Sequence, residues 1–154
     1  MGQFFGSIYC WFEDFFGLEL ANYMWGVTSP YQGANMFIGI GLWMLGISLC
    51  LVVLYYLILD HPRLCRWWGW FIFLVVNGLI NFFVGWQRLL SDYYGGKMVY
   101  LDSTTDQEVP LNITEANCFA FGVSNLMISI MFFFVFSMMI KWFSTNCSRA
   151  PFVK

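Results

Sequence analysis

Three long stretches of this chain contain no charged residue: residues 36–59, 67–87 and 116–140. A helix needs about 20 predominantly apolar residues to cross the hydrocarbon core of a bilayer. Each stretch is long enough, and in lipid each must be helical because its backbone groups find no water to bond. The sequence therefore predicts an all-α integral membrane protein, a bundle of three transmembrane helices.

The composition agrees with a chain whose main surroundings are lipid. The 154 residues are 60% hydrophobic and 10% charged, whereas a soluble domain is about 25% charged. The net charge is -2, and without a basic cluster nucleic acid is excluded as a partner. The predicted partners are the lipid bilayer and either other membrane subunits or copies of the chain itself.

Aromatic and basic residues mark the ends of the predicted spans. Trp beside Arg or Lys is typical of the membrane–water boundary, and such pairs occur at Arg66-Trp67 and Lys141-Trp142. The short connection between the first two spans predicts an antiparallel helical hairpin. A single transmembrane domain is therefore expected over residues 31–154, with a loop at 88–115 and a tail at 141–154.

Residues 1–30 form a separate N-terminal segment with an amphipathic pattern. Crossing the membrane would place Glu13 and Asp14 near the bilayer centre, at a cost of roughly 2.5–3.5 kcal/mol each. We therefore expect an interfacial helix on the outer surface, with a re-entrant or spanning helix as the alternative. Its apolar side comprises Phe4, Ile8, Trp11, Phe12, Phe15 and Phe16, and its other side Cys10, Glu13, Asp14 and Gly17.

Charge asymmetry predicts the orientation of the chain. The tail and the connection between the first two spans lie on one side and carry five basic residues: Arg63, Arg66, Lys141, Arg149 and Lys154. The other side carries only two basic residues, Arg88 and Lys97. Because basic residues favour the cytoplasmic side, the N-terminus is predicted outside and the C-terminus inside; the sequence does not indicate which membrane.

Small and polar residues recur at helical spacing in each span. The candidate helix-packing or pore-lining residues are Gly39 and Gly46 in the first span, Asn77, Asn81, Gly85 and Arg88 along the second, and Gly122, Asn125 and Ser129 in the third. Small residues let helices approach closely, and amides bond across helices. The favoured interpretation is contact between helices; the alternative is a hydrated path lined by the three asparagines.

The sequence carries no motif for catalysis, a metal or a cofactor. The chain has one histidine, His61, which lies beside Asp60 in the inner connection and lacks the neighbouring ligands of a metal site. Nucleophilic catalysis needs a nucleophile with an adjacent base, and no such pairing is evident. The chain is therefore predicted not to be an enzyme, and no catalytic, cofactor-binding or metal-binding residue is expected.

Two covalent modifications are possible on the predicted outer side. Cys10 and Cys118 are the two cysteines predicted near the outer face, so a disulfide between them is possible. Asn112-Ile113-Thr114 matches the N-glycosylation sequon, which matters only in a eukaryotic secretory route. A second match at residues 146–148 lies on the predicted inner side, where it would be silent.

A bundle of this size leaves little room for an internal site, so function is expected to arise through assembly. The first hypothesis is a small non-catalytic subunit, structural or anchoring, of a larger membrane protein complex. The alternative is a homo-oligomeric pore or small channel lined by the Asn, Ser and Gly stripes.

Overall fold

The computed structural model of the protein describes residues 2–27, 35–59, 66–102, 107–145 and 147. Six α-helices occur in these ranges: α1 Gly2–Cys10, α2 Glu13–Phe16, α3 Leu18–Trp25, α4 Met36–Val53, α5 Trp67–Tyr94 and α6 Glu115–Ile140. A π-helical segment, Leu54–Leu59, continues α4, and a 3₁₀ turn, Lys141–Phe143, follows α6. His61 and the connection around it lie outside the described residues.

The three predicted spans are confirmed as helices long and apolar enough to cross a membrane: Met36–Leu59, Trp67–Tyr94 and Glu115–Phe143. The second differs from its prediction because the helix does not end near residue 87 but continues through Arg88 and Asp92 to Tyr94. Charged side chains such as those of Arg88 and Asp92 are unfavourable in the hydrocarbon core, but they do not interrupt a helix. Residues 88–94, which were predicted to begin the loop, are therefore part of α5.

The connection between α5 and α6 contains a short antiparallel hairpin. Strand β1, Val99–Leu101, pairs with β2, Glu108–Pro110, with Tyr100 opposite Val109. After β2 the chain enters α6 through a cap at Thr114. The backbone N–H of Thr114 donates to Oδ1 of Asn117 at 3.0 Å, which is one half of a capping box.

The N-terminal segment consists of three short helices, where the sequence predicted a single amphipathic helix. Gly17 has φ +100°, a conformation that residues with a Cβ rarely adopt, and it separates α2 from α3. Before it, the amides of Trp11 and Phe12 donate to the carbonyls of Ile8 and Tyr9. These i to i−3 bonds tighten the chain and end α1.

Burial in this segment differs from the predicted helical wheel. Tyr9 and Phe16 are fully buried, whereas Trp11 and Phe15 are exposed. The difference arises because the segment is divided into three short helices, so a single helical wheel does not describe which side packs on protein. Among the described residues of this segment, the exposed large apolar side chains are Phe4, Trp11, Phe15, Leu18 and Val27.

The chain forms two compact units, each assembled from non-contiguous segments. The first unit comprises Met1–Leu42 and Phe82–Asn125, and the second comprises Trp43–Asn81 and Leu126–Lys154. An aromatic cluster fills the first: the ring of Tyr9 stacks on those of Phe37 and Phe121, with centroid distances of 5.3 Å in both pairs. α1 therefore packs on the residues that begin α4 and α6.

The core of the second unit combines aromatic rings with hydroxyl groups. Tyr55 and Tyr56, both in the π-helical segment, are fully buried beside Phe133. The indole Nε1 of Trp70 donates to Oγ of Ser137 at 3.2 Å, and the Tyr56 hydroxyl also bonds with Ser137. The polar atoms of the three side chains thus meet at one hydroxyl.

Candidate functional site

Asn125, a candidate from the third span, is fully buried in the first unit. Its Oδ1 accepts a 2.5 Å hydrogen bond from the hydroxyl of Tyr9. Gly85 lies against the same amide, since a Cβ added to this glycine would be 3.0 Å from Nδ2 of Asn125. The first unit therefore uses Asn125 to join α1 to α6, with α5 in close approach.

Asn77, Asn81 and Ser129 form a second buried polar group, within the second unit. Nδ2 of Asn77 donates to the backbone carbonyl of Ser129 at 3.1 Å, which joins α5 to α6. Nδ2 of Asn81 donates to the backbone carbonyl of Asn77 at 3.0 Å, one turn earlier in α5. The Ser129 hydroxyl donates to the carbonyl of Leu126 at 2.8 Å.

Several helical glycines, including Gly122 of the predicted stripes, mediate contacts within the chain. A Cβ on Gly122 would lie 3.0 Å from atoms of both Phe82 and Trp86. On Gly41 it would lie 2.4 Å from the ring of Phe5, a distance that real Cβ atoms do not show. At these positions the missing side chain admits an aromatic ring.

Gly39 and Gly46 behave differently from the other helical glycines. Both are exposed, and a Cβ added to either would meet no atom within 4 Å. They lie seven residues apart in α4, two turns along one side of the helix. Trp43, between them, is 69% exposed. No contact with another described residue accounts for glycine at either position.

Arg88, the last candidate of the second span, belongs to a charged group around Asp92. Asp92 is 3% exposed, and its carboxylate lies 4.0 Å from Arg88 and 3.4 Å from Lys97. The Tyr23 hydroxyl bonds with the same carboxylate. Burial, and then the negative charge of Asp92, raise the pKa of Tyr23 to about 12.

Sequence reasoning did not single out Tyr9, Tyr23, Asp92 or Asn117. One signal was available, because Arg88 and Asp92 are four residues apart and so share a helical face. For Asn117 no signal existed: its Nδ2 donates to the carbonyl of Phe16 at 2.8 Å, a contact between residues distant in sequence.

The predicted disulfide between Cys10 and Cys118 is wrong for this structure, in which both residues are free thiols. Each has surroundings of its own. The Cys10 side chain is half-buried and makes hydrogen bonds with Trp25 and Glu13. Burial raises the pKa of its thiol. Cys118 is fully buried near the start of α6. The prediction that both cysteines lie near the same membrane face was therefore not enough to place the sulfur atoms together.

Among the described residues, no group of three or more His, Cys, Asp or Glu side chains is arranged to hold a metal ion. Asn112 of the first sequon, which was predicted on the outer side, is exposed. Ile113, the middle residue of that sequon, is 6% exposed. Asn146, of the second sequon, lies outside the described residues.

Comparison with known proteins found no match: no family model matches the chain, and neither a curated protein nor a solved structure is significantly similar to it. Any functional conclusion therefore depends on the residues and contacts of the chain itself.

Proposed function

We propose that this protein is a small, non-catalytic, integral-membrane subunit of a larger membrane protein complex, with a structural or anchoring role. The partner is another polypeptide, one of whose transmembrane helices packs on the exposed face of α4 around Gly39 and Gly46. The observation that carries the proposal is the open space beside these two glycines.

Glycine in a helix costs about 1 kcal/mol relative to alanine. A helical glycine that makes no close contact with a described residue therefore needs another explanation. Gly41 admits the ring of Phe5, and Gly78 lies against Leu126. Gly39 and Gly46 have no such neighbour in the part of the chain that the structure describes. In membranes, small residues favour association because they let a second helix approach closely, and an external helix gives both positions a reason.

The buried amides support a subunit over a pore lined by asparagine. A water-filled path through identical copies would need Asn77, Asn81 and Asn125 to face the path. All three are fully buried within one chain. The Asn77 and Asn81 side chains donate to backbone carbonyls, and Asn125 accepts from Tyr9. The homo-oligomeric pore remains the alternative that the experiment below tests.

The proposed orientation follows the charge distribution, with the N-terminus outside and the C-terminus inside. Among the described residues, Arg66 and Lys141 lie at the proposed inner ends of α5 and α6. The N-terminal helices are proposed to lie at the outer boundary of the membrane. There Trp11 and Phe15, both exposed, contact lipid, and Asp14 reaches water.

The proposal is tested on particles extracted in mild detergent from the native membrane. The variant replaces both Gly39 and Gly46 with leucine, whose Cβ atoms would meet no described neighbour within 4 Å. We expect co-purified partner chains to be lost while the variant stays folded. Val75→Leu is the matched control, because it adds volume to an exposed position of α5 and should leave the particle intact.

Two results would contradict the subunit proposal. One is a particle from native membrane that contains several copies of this 18.0 kDa chain and nothing else. In that case planar-bilayer recordings of Asn77→Leu and Asn81→Leu would test the pore directly. The other is a double glycine variant that retains all its partners, which would show that α4 is not the docking face.

A further inference from the structure

The contacts of α1 show that it runs antiparallel to the beginning of α4. The ring of Tyr9 stacks on that of Phe37, with 5.3 Å between the centroids. One turn earlier in α1, the ring of Phe5 packs one turn further along α4, since a Cβ added to Gly41 would lie 2.4 Å from it. Residues nearer the start of α1 therefore lie further along α4.

The contacts with α6 give the same direction. Near the start of α6, Nδ2 of Asn117 donates to the backbone carbonyl of Phe16 at 2.8 Å. Asn125, about two turns further along α6, accepts a hydrogen bond from the hydroxyl of Tyr9. The N-terminal segment therefore follows α6 inward from its first turn, with α2 beside that turn and α1 beyond it.

The starts of α4 and α6 meet around one side chain. Phe37 and Phe121, each within the first two turns of its helix, both stack on the ring of Tyr9. Both helices belong to spans that are long and apolar enough to cross a membrane. In a bilayer, moving along either helix from its start would lead from one surface towards the centre. Because α1 is antiparallel to both, its first residues would lie deepest.

The polarity of the segment changes along the same direction. α1 contains no charged residue, and its Phe4 side chain is 57% exposed. Gln3 and Ser7 are also exposed, but uncharged polar groups cost far less in apolar surroundings than ionised ones. Trp11, which follows α1, is 75% exposed, and Trp is enriched at the membrane–water boundary. The first acids of the chain come only in α2.

We infer that α1 stands upright in one leaflet of the bilayer, with its first turn in the hydrocarbon, where Phe4 contacts acyl chains, and its last turn at the headgroups. α2 stays at the boundary proposed for the N-terminal helices, so Glu13 and Asp14 remain in water and the cost of burying them is avoided. The 9 residues of α1 extend about 14 Å, which is less than half of the roughly 30 Å hydrocarbon core. The helix therefore enters the membrane without crossing it.

Fluorescence quenching by nitroxide lipids tests the inference on the full chain, purified and reconstituted in phosphatidylcholine vesicles. A genetically encoded fluorescent amino acid replaces Phe4, Trp11 or Phe15 in turn, all of which are exposed. The nitroxide is placed on the acyl chain either near the headgroup or near the bilayer centre. We expect position 4 to be about 10 Å deeper than position 11, and position 15 to be quenched only from the shallow site. Leu49 in α4 and Tyr100 in β1, also exposed, are the deep and the unquenched controls.

Two outcomes would overturn the inference. Equal depths at positions 4, 11 and 15 would show that the segment lies flat in the interface, as amphipathic surface helices do. Absence of quenching at position 4 from either site would show that this end of α1 does not contact acyl chains. The vesicles contain this chain alone, so neither outcome bears on partner chains. The subunit proposal is decided separately, by the composition of the particle from native membrane.

Discussion

The hydroxyl of Tyr9 and the side-chain oxygen of Asn125 are joined by a 2.5 Å hydrogen bond, although 116 residues separate them in sequence. Both residues are fully buried. The bond connects the N-terminal segment to α6, and the two rings stacked on Tyr9 surround it with apolar groups. A donor–acceptor pair in such surroundings is costly to break, because no water replaces the lost partner.

Replacing Tyr9 with phenylalanine removes the donor and keeps the ring. We expect the free energy of unfolding in detergent to fall by about 1–2 kcal/mol, the cost of leaving a buried acceptor unpaired. Thermal or denaturant unfolding measures the change. Tyr100→Phe is the control, since Tyr100 is 40% exposed. Equal stability of the Tyr9 variant and the wild type would show that this bond contributes little.

Alanine at Gly41 and alanine at Gly39 should have opposite effects on stability, although the two positions are neighbours in α4. At Gly41 the new methyl group would meet the ring of Phe5 at 2.4 Å, and such overpacking costs about 1–3 kcal/mol. At Gly39 nothing is within reach, so higher helix propensity should stabilise the isolated chain by up to about 1 kcal/mol. The comparison uses the same unfolding measurement. Similar losses at both positions would contradict the described packing.

Asn117→Ala should loosen the junction between α2 and α3. The substitution removes the donor to the Phe16 carbonyl and the acceptor for the Thr114 amide. We expect faster hydrogen exchange across residues 13–20, because the backbone around Gly17 loses its fixed contact with α6. Asn112→Ala is the control, as Asn112 is exposed. Unchanged exchange in the Asn117 variant would mean that other contacts hold the junction.

Stability should decline in strong alkali through Tyr23. Burial raises its pKa in the folded chain to about 12 from the ordinary tyrosine value of 10.0, so the unfolded chain loses this proton first. The folded state binds more protons between these values, and the free energy of unfolding therefore falls as pH rises from 10 towards 12. Tyr23→Phe should show a shallower decline over that range. Identical pH profiles would contradict the assignment.

Cys10 and Cys118 should both be alkylated when the protein is denatured without a reductant, because both are free. In the native protein Cys10 should react before Cys118, which is fully buried. Mass spectrometry of peptides from non-reduced samples distinguishes the two thiols. Detection of a linked Cys10–Cys118 peptide would contradict the structure, in which both thiols are free.

The sequence predicted the three spans because each is a long uncharged run, and the bilayer allows such a run only one regular conformation. It did not predict the end of α5, since charge marks the limit of hydrocarbon and not the end of a helix. The conformation of the N-terminal segment was predicted less well than the end of α5. A single helical wheel does not describe its three short helices, so the buried side was decided by a distant acceptor, Asn125. The break at Gly17 depended on tertiary contacts.

The candidate residues divide in the same way. Helical spacing identified Asn77 and Asn81 as neighbours, and their side chains do bond along α5. Spacing could not separate the glycines that admit a ring of the same chain from those that face outward. Gly41 and Gly39 lie only two residues apart, yet the position of Phe5 decides their roles. That position is a property of the folded chain.

The length of α5 has a consequence for what can reach the β-hairpin. Its 28 residues extend about 42 Å at 1.5 Å per residue, whereas the hydrocarbon core is about 30 Å thick. An upright helix would overshoot that core by about 12 Å, or roughly two turns. The overshoot would carry Asp92 into the headgroup layer and raise the hairpin above it, within reach of molecules that never enter the membrane.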